Sequence, residues 1–277
     1  MMRKRKNKGI AVKKIIQKVL ISGAVYGLLE NTMMLRVRRE RLGKDICAVQ
    51  ISDLHRRSFG RGNRYLCEKV RRENPDVIMI TGDLVTRNCK NFSKADAALK
   101  GLCRIAPVFM IEGNHEQSIP PEYKKRYYSM LRRNNVILLK NNYSDVDIGD
   151  RKIRIYGLCE PYSTYKKNGG YKDLDTVTAD DINLYLGKKT DREVWLLAHN
   201  PLHGRAYAQW GADYTFSGHV HGGAVRLFGT GILSPERKFL PEFSKGIYTI
   251  GNMKLLVSAG LGKLRMFNPP EIVTYYL

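Results

Sequence analysis

Three short apolar runs, each stopped by a polar cluster, restrict the fold more than any other feature of this chain. "DICAVQIS" ends at Ser52, "PDVIMITGD" on Gly82 and Asp83, and "APVFMIEGN" on Gly113 and Asn114. Short apolar runs bounded by turn residues predict buried strands. Between them lie "RGNRYLCEKVRREN" and "NFSKADAALKGLC", which predict helices. Strand, helix, strand, helix, strand is the order of a parallel sheet covered by helices.

Further along, "DVDIGDRKIRIYGL" predicts a hairpin turning at Gly149 and Asp150. "EVWLLAHN" and "DYTFSGHV" predict strands on either side of a helix. "GGAVRLFG", "GIYTIGNMKLLVSAG" and "PEIVTYYL" then predict short strands with turns and little helix. A second, mostly antiparallel sheet packed on the first accounts for these. The expectation is an α/β protein, a four-layer α/β/β/α sandwich of two packed mixed sheets with its site at the C-terminal ends of the strands.

The chain has 277 residues, 43% of them hydrophobic, which excludes wholesale disorder and provides for a substantial core. Its five cysteines are scattered, with no Cys-x-x-Cys pair, so neither a disulfide framework nor a thiolate zinc site is expected and a reducing compartment fits best. Charge is the outlying statistic. The formal net charge is +22, and residues 1–42, with 12 basic and 2 acidic residues, hold +10 of it. Such a leader is drawn to anionic surfaces, or else it only solubilises the chain. Its apolar run Val19 to Leu29 is shorter than the roughly 17–25 residues that span hydrocarbon. That run has the length of a signal-peptide core, but Glu30, Asn31 and Thr32 follow where small residues would mark cleavage. Ile15, Ile16, Val19 and Leu20 share one side of a helix, with Lys14 and Lys18 on a neighbouring face. The leader, 1–42, therefore reads as an amphipathic helix lying on an anionic membrane on the cytoplasmic side, with an uncleaved anchor as the alternative, and 43–277 as the folded domain.

Five of the six histidines sit where a predicted strand gives way to a loop: His55, His115, His199, His219 and His221. Asp53 and Asp83 hold the same kind of position. Taken alone, "GNHE" at residues 113–116 is ordinary turn chemistry with a loop histidine beside it. The company it keeps changes that, because neighbouring strands of an open α/β sheet deliver their carboxyl ends to one crevice. Residues two apart on an extended segment face the same way, so Asp53 with His55, and His219 with His221, can each serve one centre. Carboxylate, amide oxygen and imidazole together suit divalent Mn, Fe or Zn. His203, four residues after His199, offers another imidazole at helical spacing, but "NPLHGRA" predicts a helix leading away.

The ordered set "DLH", "GD", "GNHE", "AHNP" and "GHVH", spanning residues 53–221, resembles the five blocks of the calcineurin-like metallophosphoesterases. "GHVHGG", "LSPERKF", "GIY" and "SAGLGKLRMFNPPEI" are similar to that family's membrane-associated bacterial YaeI/YkuE-like branch, apart from Ala224, where glutamine is common. The resemblance implies two divalent metal ions, manganese first with iron or zinc as alternatives. It puts Asp53, His55 and His221 on one metal, Asn114, His199 and His219 on the other, and Asp83 between them. His115 stays unliganded as the catalytic group, with Glu116 beside it in the second shell.

Two such cations neutralise a phosphate and activate water for in-line attack, while His115 protonates the departing alkoxide or holds a phosphate oxygen. The expected activity is therefore hydrolysis of a phosphoester, a diester first, at a membrane or on an envelope or lipid-linked phosphate. Three alternatives are a pyrophosphate hydrolase of the UDP-2,3-diacylglucosamine type, a nuclease, and a non-catalytic metal-binding scaffold. No aromatic and basic interleaving marks a nucleic-acid track, and the complete ligand set argues against a scaffold. Nothing in the sequence marks a protein partner.

Overall fold

The computed structural model describes residues 13, 17–18, 21–23, 25–27, 30, 34–223, 225–227, 229–234, 239–263 and 265–277. The strands, in chain order, are β1 (Arg36–Arg41), β2 (Cys47–Ile51), β3 (Val77–Thr81), β4 (Val108–Ile111), β5 (Ile137–Leu138), β6 (Asn142–Ile148), β7 (Arg151–Leu158), β8 (Glu193–Ala198), β9 (Tyr214–Ser217), β10 (Arg226–Leu227), β11 (Thr230–Gly231), β12 (Gly246–Ile250), β13 (Met253–Val257) and β14 (Glu271–Tyr276). Two six-stranded sheets form, in the orders β1-β14-β2-β3-β4-β5 and β12-β13-β9-β8-β7-β6, and β10 pairs with β11 apart from both.

Side chains alternate across each strand, and that alternation makes the layers. Val77 and Met79 of β3 join Phe109, Ile153, Trp195, Leu197 and Phe216 in the core between the sheets. Ile78 and Ile80 face the other way, with Leu66, Val70, Leu99 and Met130 from the helices Arg64–Glu73, Ser93–Leu102 and Pro121–Arg133. On the far side of the second sheet, Val194 and Leu196 pack with Ile182, Tyr207 and Trp210 of the helices Ala179–Leu186 and Gly204–Trp210. The architecture is the expected α/β/β/α sandwich. Each fully buried Leu, Ile or Phe contributes about 1.5–3 kcal/mol, so the layers hold mainly through apolar burial.

The second sheet departs from expectation. Its centre, β7-β8-β9-β13, is parallel, and only the edge strands β6 and β12 run antiparallel. Helices cover its outer face, so β8 is buried on both sides, as parallel strands are. The hairpin at Gly149 and Asp150 forms as expected, with Ile148 opposite Arg151. "PEIVTYYL" lies in the first sheet instead, as β14, between β1 and antiparallel β2. That sheet therefore begins at Arg36, inside the stretch assigned by sequence to the leader.

The helical positions described in the leader are 13, 17–18, 21–23, 25–27 and 30. Ile15, Ile16, Val19, Leu20 and Lys14, on which the amphipathic pattern rests, lie outside the described residues, as do Ala224 and most of "LSPERKF". Among the described residues no helix is long and apolar enough to cross a membrane.

Candidate metal centre

The loops leaving five strands meet at one place. β2 leads into Asp53 and His55, β3 into Asp83, β4 into Asn114 and His115, β8 into His199, and β9 into His219 and His221. Asp53, His55, Asp83, His219 and His221 all take φ between 52° and 61°. That left-handed conformation costs a non-glycine residue about 1–3 kcal/mol, and five instances at one site mark where the fold spends stability on aim. Gly82 keeps the loops close: a Cβ there would lie 2.6 Å from His199 Nδ1 and 2.9 Å from the Gly113 backbone.

The side chains fall into overlapping groups. Asp53, His55 and His221 hold ligand atoms within 4.8 Å of one another, as do Asp83, His199 and His219, and as do His55, Asp83 and His115. Asp83 Oδ2 lies 3.4 Å from His199 Nε2, 3.8 Å from His115 Nε2 and 3.9 Å from His55 Nε2, and Asp53 Oδ1 lies 3.3 Å from His221 Nε2. Asn114 shares a pocket of about 210 Å³ with His55, Asp83, His115, His219 and His221. Five of the seven residues singled out as ligands thus line one pocket with His115, and Asp53 and His199 hold ligand atoms within 4.8 Å of theirs.

The donor set fits a dinuclear divalent centre. Both carboxylate oxygens of Asp53, His55 Nδ1, Asn114 Oδ1 and His199 Nε2 are buried without a hydrogen bond. A buried polar atom left unmet costs about 1–3 kcal/mol, and coordination would satisfy these together. Burial opposes ionisation of Asp83, yet His199, His115 and His55 hold it well below the usual carboxylate range. His221 does the same for Asp53 against its burial. Both carboxylates are therefore anionic at neutral pH, the form that binds metal. Burial pushes the His115 imidazole down to about 4 against the pull of Asp83.

Glu116 is placed differently from the expectation that it partners His115. Its Oε2 accepts the backbone N–H groups of Asp83 and Gly113, and its Oε1 that of Val85, each at 2.9 Å. The carboxylate ties the Asp83 loop to the Asn114 loop; burial and the Asp83 charge push its pKa up to about 8. His203 stands apart from the three groups, where Nδ1 accepts from the Val177 N–H at 3.4 Å and Nε2 lies 3.5 Å from Asn200 Nδ2.

Sequence reasoning missed Glu160, although it too is an acid at a strand end, two residues past β7. It is 1% exposed. Its carboxylate accepts from the backbone N–H groups of His199 (3.2 Å) and Asn200 (3.1 Å), from Tyr207 Oη (2.6 Å) and from Tyr165 Oη. The Tyr165 ring packs 4.9 Å from the His219 ring and 5.8 Å from that of His199. Glu160 thus positions two ligand imidazoles through one loop and one ring. Glu160→Gln, with one acceptor fewer, is expected to weaken metal binding about 10–100-fold, as losing outer-shell support does. Calorimetric titration with Mn²⁺ checks this; an unchanged affinity would make Glu160 a core residue only.

Comparison with known proteins points the same way. The chain is 29% identical over 268 residues to an uncharacterized metallophosphoesterase of Aquifex aeolicus (strain VF5), covering 90% of this chain and 93% of the relative. It is 26% identical over 243 residues to the uncharacterized metallophosphoesterase YkuE of Bacillus subtilis (strain 168), covering 83% and 78%. Among solved structures, a putative 5'-nucleotidase from Staphylococcus aureus in complex with alpha-ketoglutarate superposes with a TM-score of 0.50 at 15% identity. That match covers 78% of this chain and about half, 49%, of the other, and it shows the shared fold. The family model described as calcineurin-like phosphoesterase matches residues 48–223, most of the chain and every loop that reaches the pocket. The chain belongs to the calcineurin-like phosphoesterase family, and it is a metal-dependent phosphoester hydrolase.

Proposed function

We propose that the protein is a manganese-dependent phosphodiesterase that works at an anionic membrane surface, on an envelope or lipid-linked phosphate. One observation carries the membrane part: the loop that supports His221 also presents apolar side chains to solvent. Asn268 Nδ2 donates to the His221 carbonyl at 2.6 Å, and a Cβ on Gly262 would lie 2.7 Å from the His221 ring. On the same loop Met266 and Phe267 are 38% and 41% exposed. Tyr26 of the leader stacks on Phe267 with ring centroids 6.3 Å apart, and Ile21 and Val25 beside it are more than half exposed. Apolar side chains next to a segment of charge +10 suit the boundary between anionic headgroups and acyl chains.

The diester part rests on the room around phosphorus. The metal pocket and a second cavity share His55 as a wall, which leaves space for a substituent on either side. A donor set of carboxylate, amide oxygen and imidazole without thiolate suits manganese, with iron and zinc as the alternatives. When bound, the two ions supply charge neutralisation and an activated water. The chain's own part is to hold the ligands through Glu116 and Glu160, to keep Asp53 and Asp83 anionic, and to direct His115 Nε2 into the pocket.

Purified protein is expected to hydrolyse bis-p-nitrophenyl phosphate faster than p-nitrophenyl phosphate, to stop on chelation and to recover with Mn²⁺. A preference for the monoester would overturn the diester assignment. Binding to anionic vesicles is expected to weaken with salt, since each surface Lys or Arg contributes about 1 kcal/mol that ions screen. Ile21→Ser with Val25→Ser should weaken it by about tenfold or more, because each buried aliphatic side chain is worth over 1 kcal/mol. Indifference to vesicles together with binding to RNA or DNA would move the nuclease assignment to the front.

A further inference from the structure

The second cavity, of about 350 Å³, is lined by Arg56, Lys90 and Lys94 with Asn88, Asn91 and Ser93, and it meets the metal pocket at His55. No carboxylate lines it among the described residues. The metal pocket adds Arg87 and Lys166. Two loops contribute to both spaces. The loop after β2 gives His55 to each and Arg56 to the side cavity. The loop after β3 gives Asp83 and Arg87 to the metal pocket and then Asn88 to Asn91 to the side cavity. Lys94 Nζ donates to the Arg56 carbonyl at 3.3 Å, which ties the first turn of the helix Ser93–Leu102 to the loop after β2 across the cavity.

Three cations around one concavity repel one another, and a concave wall of a single sign concentrates its field on an incoming anion. Elsewhere some arginines sit against single acids: Arg39 with Glu73, Arg133 with Asp96, Arg151 with Glu193, Arg154 with Asp145. With 48 basic against 26 acidic residues many cations of this chain lack an acid, so what marks the side cavity is that three of them converge on one concavity beside the reaction centre. We propose that it is a subsite for a second phosphate on the substrate, a few bonds from the scissile one and held by Arg56, Lys90 and Lys94. The inference rests on the phosphoesterase assignment and narrows it to organic bisphosphates and diphosphates. The metal pocket takes the ester to be cleaved, while the side cavity takes the group that stays intact.

The test compares the p-nitrophenyl ester of thymidine 5'-phosphate with the same ester bearing a 3'-phosphate. Wild-type protein with Mn²⁺ is expected to show a KM about tenfold lower for the 3'-phosphorylated ester, a preference that shrinks with salt because exposed charges are screened. Arg56→Gln, Lys90→Gln and Lys94→Gln together should erase that preference. Lys44→Gln, Lys152→Gln and Lys188→Gln, exposed positions remote from the site that remove the same charge, should keep it. A second arm needs no turnover: calorimetry should show thymidine 3',5'-bisphosphate binding about tenfold tighter than thymidine 5'-phosphate, and the site triple variant should lose the difference. Hydrolysis of both esters without preference, or an equal loss in the two triple variants, overturns the subsite. A bisphosphate preference in binding with neither ester cleaved upholds the subsite and sinks the diesterase assignment.

Discussion

Asp83→Asn is expected to strip metal from the site and lower kcat/KM by about 10³-fold or more, since a metal centre supplies several kcal/mol of transition-state stabilisation. Asp83 belongs to two of the three ligand groups, and its Oδ2 faces three imidazoles within 3.9 Å. Its Oδ1 also accepts the His115 backbone N–H at 2.9 Å. Asparagine keeps that acceptor, so the loop holds its shape and the loss reports coordination and charge. His203→Ala is the matched control. It removes a buried imidazole outside the three groups, so it should cost about 1–3 kcal/mol of stability while two metals stay bound. Metal content by mass spectrometry, kcat/KM and melting temperature separate the two. Equal metal loss in both variants would remove Asp83 from the bridging role.

Much of the centre was legible because strand ends are punctuated in sequence. A buried strand must stop being apolar where it leaves the sheet, so Asp53, Asp83, Asn114, His199 and His219 stand out against the runs before them. Glu160 follows the same rule but stands between Cys159 and Pro161, with no histidine beside it to suggest a shared centre. Its importance comes from Tyr165, Tyr207 and the His199 loop, contacts made across 5 to 47 residues of chain. The direction of the second sheet also had a signal. "VWLLA" is apolar on both faces, as strands covered on both sides are, whereas a one-sided antiparallel strand alternates.

Strand β1 had no such signal. "RVRRER" reads as a solvated basic run, and as an edge strand it is largely accessible. Its arginines are nevertheless engaged at long range. Arg38 Nε lies 3.3 Å from Glu271 Oε1, and Arg39 binds Glu73 at 2.5 and 2.7 Å. Glu271 is 1% exposed, and Lys245 also binds it, at 2.5 Å. Burial opposes its ionisation, but Arg38 and Lys245 hold its pKa below the usual value. A charge count along the chain cannot separate such pairs from a tail, because Glu73 lies 34 residues from Arg39 and Glu271 lies 233 from Arg38.

His115→Ala should leave two metals bound and lower kcat by about 10² to 10³, the cost of losing one donor aimed at a developing charge. Two observations favour hydrogen-bond donation over proton transfer. Nδ1 accepts the Arg87 backbone N–H at 3.2 Å, which puts the neutral ring's proton on Nε2; that nitrogen faces the pocket, with the Arg87 guanidinium Nη2 3.3 Å away. Burial pushes the imidazole down to about 4, so at neutral pH it is uncharged, with an N–H to offer a phosphate oxygen and no spare proton to release. The leaving group then decides the matter. A donor to a phosphate oxygen acts alike on every ester, so the loss should be the same for p-nitrophenyl and alkyl leaving groups. A general acid matters most for the poor leaving group, and a loss that grows steeply from p-nitrophenyl to alkyl esters would assign His115 to protonating the departing alkoxide. Since His115 also shares a ligand group with His55 and Asp83, metal content must be measured on the same variant; a metal-depleted protein would make His115 a ligand and end both assignments.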